Sequence, residues 1–274
     1  MKNKYNHILA ISFFFCVLSC SSLRKNQDDS PQIEKNSHGI YIEQYDSLFS
    51  DPNVYNNDNV ILTPNLNLRY NYSITKEGKR LFVNSFEKDW TLVDENDTTA
   101  LDSYIEADIF DGNPMEKYVP EYTQTTIQYR YPDGYSTMTG VVENSKNLWM
   151  HPPRAGILSL LELSSFPLVM YPIELNQVYD WNLLIGSHYG HKDFIHWEGN
   201  IKTVMSYEVK SKEKLDTDLG SLDCFVIHSK SASSLGIGYT KLYFNETYGF
   251  VKTEFRAIDG TEITLQLVDY RLTN

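Results

Sequence analysis

Apolar and polar residues alternate with a period of two over long stretches of this chain, and this alternation constrains the fold more than any other feature. One such stretch lies near residue 70, and a longer one lies near residue 205. A period of two is typical of strands with one buried and one solvated face, which occur in antiparallel sheets. The predicted buried positions are Leu66, Leu68, Tyr70, Tyr72 and Ile74 in the first stretch, and Trp197, Ile201, Thr203, Met205, Tyr207 and Val209 in the second.

The C-terminal third carries the clearest strand signals. Residues 238–245, 250–258 and 261–272 are predicted to form three strands. The Asp259-Gly260 step between the last two is a strong hairpin signal, because both residues accept the backbone angles of a tight turn. The predicted core-facing positions of this meander are Val251, Thr253, Phe255, Ala257, Ile263, Leu265 and Leu267, and the predicted outward positions are Glu262, Thr264 and Gln266.

A proline-rich segment between residues 148 and 172 interrupts the alternation. Proline cannot donate to a backbone ladder, so Pro152, Pro153 and Pro167 exclude a central strand here. The apolar run 155–163 fits a short buried helix or an irregular insert. The sequence thus indicates a mainly β fold, a long antiparallel meander that forms an open or half barrel, with a short helical or irregular insert near 150–170. Shorter strands are predicted at 80–86, 90–93, 104–110, 125–131 and 135–142.

Residues 1–22 have the order of a secretory signal. Lys2 and Lys4 form a positive start, and residues 8–18 are apolar and uncharged. As a helix this apolar stretch would rise about 16 Å, which is too short for a hydrocarbon core of about 30 Å, so a single-span membrane anchor is disfavoured. The sequence predicts a signal peptide at 1–19, a polar tether at 20–59 that is too hydrophilic to order itself, and a single antiparallel β domain at 60–274.

The end of the signal, VLSC at 17–20, resembles the lipobox of bacterial lipoproteins. In that family the cysteine thiol receives a diacylglycerol, the chain is cut just before the cysteine, and the new amino terminus is acylated by a fatty acid such as palmitate. The resemblance implies lipidation of Cys20 and attachment to the outer membrane of a Gram-negative cell. Several acyl chains give a stable anchor, whereas one chain is marginal.

A short acidic motif, QDD at 27–29, bears on which face of the outer membrane carries the domain. It resembles the surface-export signal of Bacteroidota-type lipoproteins, which implies the cell surface. Solvated linker charge explains the same residues equally well, and then the domain is periplasmic. Both faces stay open at this point.

Two stretches of the domain resemble known envelope proteins. With the lipobox, WMHPPR at 149–154 and YFNETYGFV at 243–251 look like uncharacterised Bacteroidota-type lipoproteins, over residues 149–272. The long antiparallel strands with an insert also look like the half-barrels of lipoprotein carriers of the LolA/LolB-like kind. In those carriers the curved sheet holds acyl chains on an apolar concave face, which implies a lipid-like ligand, although a fold alone does not establish a function.

Charge and cysteine content exclude several classes of function. The formal net charge is −12, which argues against nucleic acid, whose phosphates require Lys and Arg. Once Cys16 leaves with the signal and Cys20 carries lipid, only Cys224 is left, so the domain has no intrachain disulfide. Cys224 and His228 share a face of a predicted strand but lie about 13 Å apart along it. A buried structural thiol is therefore favoured over a catalytic one.

Motifs for common enzyme chemistries are missing from the sequence. Ser221 lacks the second glycine of a nucleophile elbow. The run LGIG at 235–238 is too short for a phosphate-binding loop and opens a strand where a helix is required. Acidic residues are plentiful in an acidic chain, and their spacing selects no glycosidase pair. The sequence therefore predicts no catalytic residue and no cofactor, and it favours a non-enzymatic protein.

A histidine-rich stretch is the one candidate metal site. His188, His191, Asp193 and His196 lie within nine residues of each other. Zinc would use three such ligands and an open water position. His188 and His196 would share a face of a strand while His191 would not, so a loop would have to gather them. The alternative is a polar hairpin tip between flanking strands, which Gly186 and Gly190 support.

Aromatic residues give the last candidate site. Aromatic side chains in alternating strands usually belong to the core, but exposed ones mark binding surfaces. A groove for a sugar or an acyl chain and a plain core both stay open for them. The residues concerned are Tyr129, Tyr131, Trp149, Trp181, Tyr189 and Trp197.

These observations favour a cell-envelope lipoprotein whose non-enzymatic β domain binds an apolar or amphipathic ligand or a partner protein. One alternative is a structural or assembly lipoprotein of the outer membrane, which a filled core without a pocket would favour. The other alternative is a metal-dependent hydrolase built on the 188–196 histidine stretch. The predicted partners are the membrane, through the lipid on Cys20, and a lipid-like ligand or envelope protein, with no nucleic acid.

Overall fold

The computed structural model describes residues 33–35, 41–43, 59–87, 90–114, 116–118, 124–191 and 195–273. The predicted signal peptide, Cys20, the motif at 27–29 and Asp193 lie outside the described residues. Two short strands, β1 (Ile33–Lys35) and β2 (Tyr41–Glu43), fall within the predicted tether and pair with each other in an antiparallel sheet of their own.

A second, 14-stranded sheet makes up the domain, and all of its strand pairs are antiparallel. Two 3₁₀ helices, Gly156–Leu163 and Ser187–Tyr189, accompany it. None of the helices among the described residues has the length and apolar character needed to cross a bilayer. The strands are β3 (Leu66–Lys76), β4 (Lys79–Val83), β5 (Leu92–Val93), β6 (Tyr104–Ile109), β7 (Thr125–Arg130), β8 (Ser136–Glu143), β9 (Asn147–Met150), β10 (Leu168–Met170), β11 (Val178–Gly186), β12 (Asn200–Thr217), β13 (Gly220–Ser233), β14 (Gly236–Asn245), β15 (Gly249–Arg256) and β16 (Glu262–Leu272).

The strand order brings the two edges of the sheet together in a nearly closed barrel. The order is β10-β9-β8-β7-β6-β3-β16-β15-β14-β13-β12-β11, with β4 and β5 branching from β3. The edge strands β10 and β11 follow each other in the chain, and no backbone ladder joins them within the described part. A side chain bridges this seam instead, because the Tyr179 hydroxyl donates to the Leu168 carbonyl at 2.8 Å. The predicted open antiparallel barrel is therefore confirmed.

The predicted strand faces are also confirmed, with one exception. The inward positions of β3, from Leu66 to Ile74, are buried, as are those of β12 from Ile201 to Val209. In β15 and β16 the predicted core-facing residues are buried while Glu262 is exposed. The exception is Trp197, which lies before β12 begins and donates from Nε1 to the Ile185 carbonyl at 3.1 Å.

The proline-rich segment is an insert that lies against the inward face of the sheet. Its 3₁₀ helix, Gly156–Leu163, is buried from Ile157 onward. Inward hydroxyls hold both ends of the insert, since Tyr129 donates to the His151 carbonyl at 2.7 Å and Tyr207 donates to the Phe166 carbonyl at 2.9 Å. The predicted short helical insert is confirmed, and it fills the barrel.

A small void lies between the insert and the sheet. Its volume is about 10 Å³, and Tyr129 and Leu265 are among the residues that border it. That is about the space of one water molecule. Such a void is far too small for an acyl chain, so the analogy to lipoprotein carriers stays a prediction that the interior does not support.

A buried carboxylate fastens the start of the domain to the sheet. Glu143 accepts hydrogen bonds from the backbone N–H groups of Val60, Ile61 and Leu62 at 2.8–2.9 Å. The Tyr270 hydroxyl donates to the Ile61 carbonyl at 2.7 Å from the other side. Charge-assisted bonds of this kind are among the stronger ones in proteins, and they fix where the chain enters the barrel.

Candidate functional site

A cleft of about 480 Å³ opens at the end of the barrel where the insert begins. Four loops that are distant in sequence converge on it: the loop after β4, the β7–β8 turn, the start of the insert and the β11–β12 hairpin tip. The mouths of β-barrels are common places for ligand sites, and this volume is in the usual range. We call it the mouth cleft, defined by an aromatic wall of Phe86, Trp90, Tyr135 and Tyr189 and a polar floor of Arg154, Ser159, Glu162, His188 and His191.

The aromatic wall is held in place by close packing. Gly156 has φ +55°, which favours glycine, and a side chain on it would begin 3.4 Å from the Trp90 ring. The indole of Trp90 therefore lies directly over the first turn of the 3₁₀ helix, and its Nε1 donates to His191 Nε2 at 3.4 Å. On the opposite side, the Arg154 guanidinium lies 5.0 Å from the centre of the Tyr189 ring, within cation–π range.

The polar floor contains two acceptors that are buried without a partner. Ser159 and Glu162 are 5% and 2% exposed, and Ser159 Oγ and Glu162 Oε1 have no hydrogen-bond partner among the described residues. The other carboxylate oxygen of Glu162 lies 3.4 Å from His151 Nε2, but the geometry makes no hydrogen bond. Burying polar atoms without partners costs free energy, so native proteins keep them mainly where they serve a purpose.

Charges of both signs meet at the floor. Arg154 donates from Nη2 to the Met138 carbonyl at 2.7 Å, which fixes the guanidinium beside the cleft. The pKa of His188 is lowered, first by burial and then by the nearby Arg154 cation, while the Glu162 carboxylate acts in the opposite direction. The floor thus brings together the Arg154 guanidinium, the Glu162 carboxyl group and a histidine whose pKa is lowered.

The histidine-rich stretch forms the predicted hairpin tip. His188 and His191 line the mouth cleft, whereas His196 is exposed outside it. Gly190 is needed at this tip, because a side chain there would start 2.9 Å from the Ile195 carbonyl oxygen. Among the described residues, which omit Asp193, no group of three His, Cys, Asp or Glu side chains lies close enough to hold a metal ion. Within the described residues, His188, His191 and His196 therefore do not form the predicted metal site.

Most of the candidate aromatic residues belong to the core. Tyr129, Trp149 and Trp181 are fully buried, and the Trp149 and Trp181 rings lie 5.5 Å apart. Tyr131 is buried as well, so the core interpretation holds for these four. Tyr189 alone of the six lines the mouth cleft.

Two other places on the domain are weaker candidates. Cys224 is buried, and burial raises the pKa of its thiol to about 11, while His228 is exposed, so the two do not form a catalytic pair. A depression of about 420 Å³ on the outer face of the sheet is lined by charged side chains, including Lys241, Glu254 and Arg256. These charged side chains lie on the solvated face of the sheet.

Sequence reasoning missed the residues that build the mouth cleft, namely Trp90, Arg154, Ser159 and Glu162. Trp90 was predicted within a strand at 90–93, but β5 contains only Leu92 and Val93. One signal was available, because Glu162 is the only charged residue in the apolar run 155–163. A lone carboxylate in a buried segment marks a functional candidate.

Comparison with known proteins gives distant similarities of fold. No protein-family model and no curated protein matches the chain. A candidate lipoprotein from Parabacteroides distasonis is 13% identical, with 81% of this chain and 100% of that chain covered and a TM-score of 0.42. A candidate exported protein with a YmcC-like fold from Bacteroides fragilis is 11% identical, with 76% and 96% covered and a TM-score of 0.37. The hypothetical lipoprotein YmcC from Escherichia coli K12 is 10% identical, with 76% and 86% covered and a TM-score of 0.35.

Proposed function

We propose that the protein is an envelope lipoprotein, anchored in the outer membrane through Cys20, whose β domain binds an amphipathic ligand in the mouth cleft without transforming it. The lipobox at 17–20 supports the anchor. The aromatic wall of the mouth cleft above its polar floor is the observation that carries the binding function. Small-molecule sites combine aromatic or apolar surface with a few placed polar groups.

The division of the mouth cleft into wall and floor determines the ligand class. Rings such as Trp90 and Tyr189 stabilise apolar surface by removing it from water. Glu162 instead requires a polar group, because its Oε1 is buried without a hydrogen-bond partner among the described residues and such burial is costly. A ligand with an apolar part and a polar head satisfies both. Since the insert fills the barrel, the ligand binds at the mouth and not inside.

Titration with three amphiphiles that share a dodecyl tail tests this function. Dodecyl maltoside, dodecylphosphocholine and octaethylene glycol dodecyl ether, each below its critical micelle concentration, differ only in the head group. We expect at least one of them to bind the purified domain in isothermal titration calorimetry. Trp90→Ala is expected to weaken that binding at least tenfold, because it removes the ring that covers the floor.

Tyr239→Ala is the matched control, because Tyr239 is a half-exposed aromatic residue on the outer face of β14. It is expected to bind as the wild type does. If both substitutions weaken amphiphile binding equally, or if Trp90→Ala does not weaken it, the binding site lies outside the mouth cleft.

A structural or assembly role at the outer membrane is the second candidate, and the filled interior favours it. A protein of that kind needs a stable core and an anchor but no ligand. If none of the three amphiphiles binds and none raises the melting temperature, which ligand binding to the folded state would do, this role takes first place.

The anchor is tested separately in cells. Cys20→Ala is expected to leave unprocessed or soluble protein and to abolish fractionation with membranes after a high-salt wash. Cys224→Ala is the matched control and should fractionate as the wild type does. Membrane association of the Cys20→Ala protein would contradict lipidation. Protease added to intact cells then separates the cell-surface face from the periplasmic face, since only a surface domain is cut.

A further inference from the structure

The floor of the mouth cleft presents its two unpartnered acceptors side by side. Ser159 and Glu162 are three positions apart on the 3₁₀ helix, and side chains at that spacing eclipse each other. Both line the cleft, so they project toward the same space. An ionised carboxylate only accepts hydrogen bonds, whereas a hydroxyl accepts or donates. A ligand that satisfies this floor must bring hydrogen-bond donors to Glu162.

The charges around the floor disfavour a cationic donor. An ammonium group would satisfy Glu162, but the Arg154 guanidinium lines the same cleft and would repel it. An anionic head would meet Arg154 favourably but would face the buried Glu162 carboxylate. A neutral group with several donors avoids both conflicts.

The aromatic wall stands next to this floor in a way that suits a ring with polar edges. Trp90 covers Gly156, the residue that begins the 3₁₀ helix, so its indole is one turn from Ser159. A sugar ring presents an apolar C–H face and hydroxyl donors around its edge. The face would pack on an aromatic ring, while the edge hydroxyls would donate to Glu162 and Ser159.

Resting on the proposed function, we infer that the polar head of the ligand is a neutral polyhydroxylated group, a sugar, recognised by Ser159 and Glu162 at the floor of the mouth cleft. Ser159 and Glu162 decide which head group binds. The aromatic wall contributes affinity for any amphiphile and does not distinguish heads.

Head-group preference is the quantity that tests this inference. Dodecyl maltoside offers many hydroxyl donors, whereas octaethylene glycol dodecyl ether offers ether oxygens and a single hydroxyl. In isothermal titration calorimetry on the purified domain, the wild type is expected to prefer dodecyl maltoside at least tenfold. Ser159→Ala and Glu162→Leu are each expected to reduce this preference at least fivefold, by weakening the binding of dodecyl maltoside.

Ser164→Ala is the matched control, because Ser164 is a fully buried serine whose hydroxyl also lacks a partner among the described residues but does not line the cleft. It is expected to keep the wild-type preference. Circular dichroism and the melting temperature check the fold of each variant. If Glu162→Leu does not fold, Ser159→Ala, which removes a single oxygen, still decides the outcome.

The titrations distinguish the identity of the head group from the location of the binding site. Equal binding of all three amphiphiles, still weakened by Trp90→Ala, would overturn the sugar head and leave the mouth cleft as the site. Preference for dodecylphosphocholine would overturn it in favour of a zwitterionic head. Binding of no amphiphile would contradict the proposed function itself.

Discussion

The C-terminal half of the sheet and the insert that it encloses both contribute to the core, but they are built on opposite principles. In β12 to β16 the inward side chains alternate with outward ones, and the ladders between strands pair the backbone N–H and C=O groups. The insert has no ladder partner and keeps polar atoms of Ser159 and Glu162 buried without hydrogen bonds to the described residues. The regular strands therefore fix the shape of the barrel, while the irregular insert carries the polar groups that a ligand in the mouth cleft would contact.

The largest expected effect tests whether the insert is as firmly packed as the sheet. Leu160 in the insert and Leu267 in β16 are both fully buried. Truncating either to alanine is expected to lower the free energy of unfolding by about 2–5 kcal/mol, measured by urea denaturation. Leu272→Ala, at a position 67% exposed, is the control and should cost under about 0.5 kcal/mol.

A large loss of unfolding free energy for Leu267→Ala together with a small loss for Leu160→Ala would show that the insert is packed less firmly than the sheet. The insert would then be a loosely held plug, and the barrel interior would become available to a ligand after all.

The second prediction concerns the register of the sheet half. Leu265 points into the barrel and Gln266 points outward, because successive side chains of a strand alternate. Leu265→Ala is expected to cost about 2–5 kcal/mol, and Gln266→Ala under about 0.5 kcal/mol. Equal costs at these neighbouring positions in urea denaturation would be incompatible with this register, since a slip of one residue exchanges the two faces.

A smaller effect is expected at the buried thiol of β13. Cys224→Ala should destabilise the domain by about 1 kcal/mol, as a small apolar truncation does, and should leave amphiphile binding unchanged. The raised pKa of the thiol, about 11, keeps it protonated at neutral pH, so native-state alkylation should be slow.

The sign of the pH dependence follows from the same shift. The folded protein holds the thiol proton more tightly than the unfolded chain, whose value is near 9.0. The stabilisation that the protonated Cys224 thiol contributes to the folded state is therefore present below pH 9 and is lost as the pH rises toward 11. Fast labelling of Cys224 at pH 7 would contradict the buried position.

The smallest expected effect on stability is at Glu162, and it separates function from fold. Because the carboxylate is buried without full hydrogen bonding, Glu162→Leu is expected to leave the free energy of unfolding unchanged or to raise it by up to about 1 kcal/mol. Thr203→Val, which removes another unpartnered inward hydroxyl, is the control within β12 and should behave alike. A loss above about 2 kcal/mol at Glu162 alone would make this residue a structural one.

The sheet could be predicted from the sequence because its signal is local and repeated. In β3 and β12 the same apolar signal repeats at every second residue. One wrongly assigned residue such as Trp197 therefore does not change the predicted strand or its buried face. The Asp259-Gly260 turn fixes the last hairpin in the same local way.

The mouth cleft could not be predicted because its parts meet only when the barrel closes. Trp90 and His191 come from two separate loops and Glu162 comes from the 3₁₀ helix of the insert, and no spacing in the sequence links them. Their approach depends on the register of every strand between β4 and β12. The insert itself was predicted, but which of its residues would face the cleft depends on what surrounds it.

Two methionines can report whether the ligand binds at the mouth of the barrel or inside it. Met138 lines the mouth cleft, and Met205 is fully buried on the inward face of β12. Methionine methyl groups labelled with carbon-13 can be followed by NMR during a titration with dodecyl maltoside below its critical micelle concentration. We expect the Met138 signal to shift progressively while the Met205 signal stays unchanged. A shift at Met205 with none at Met138 would place the ligand inside the barrel and contradict this account.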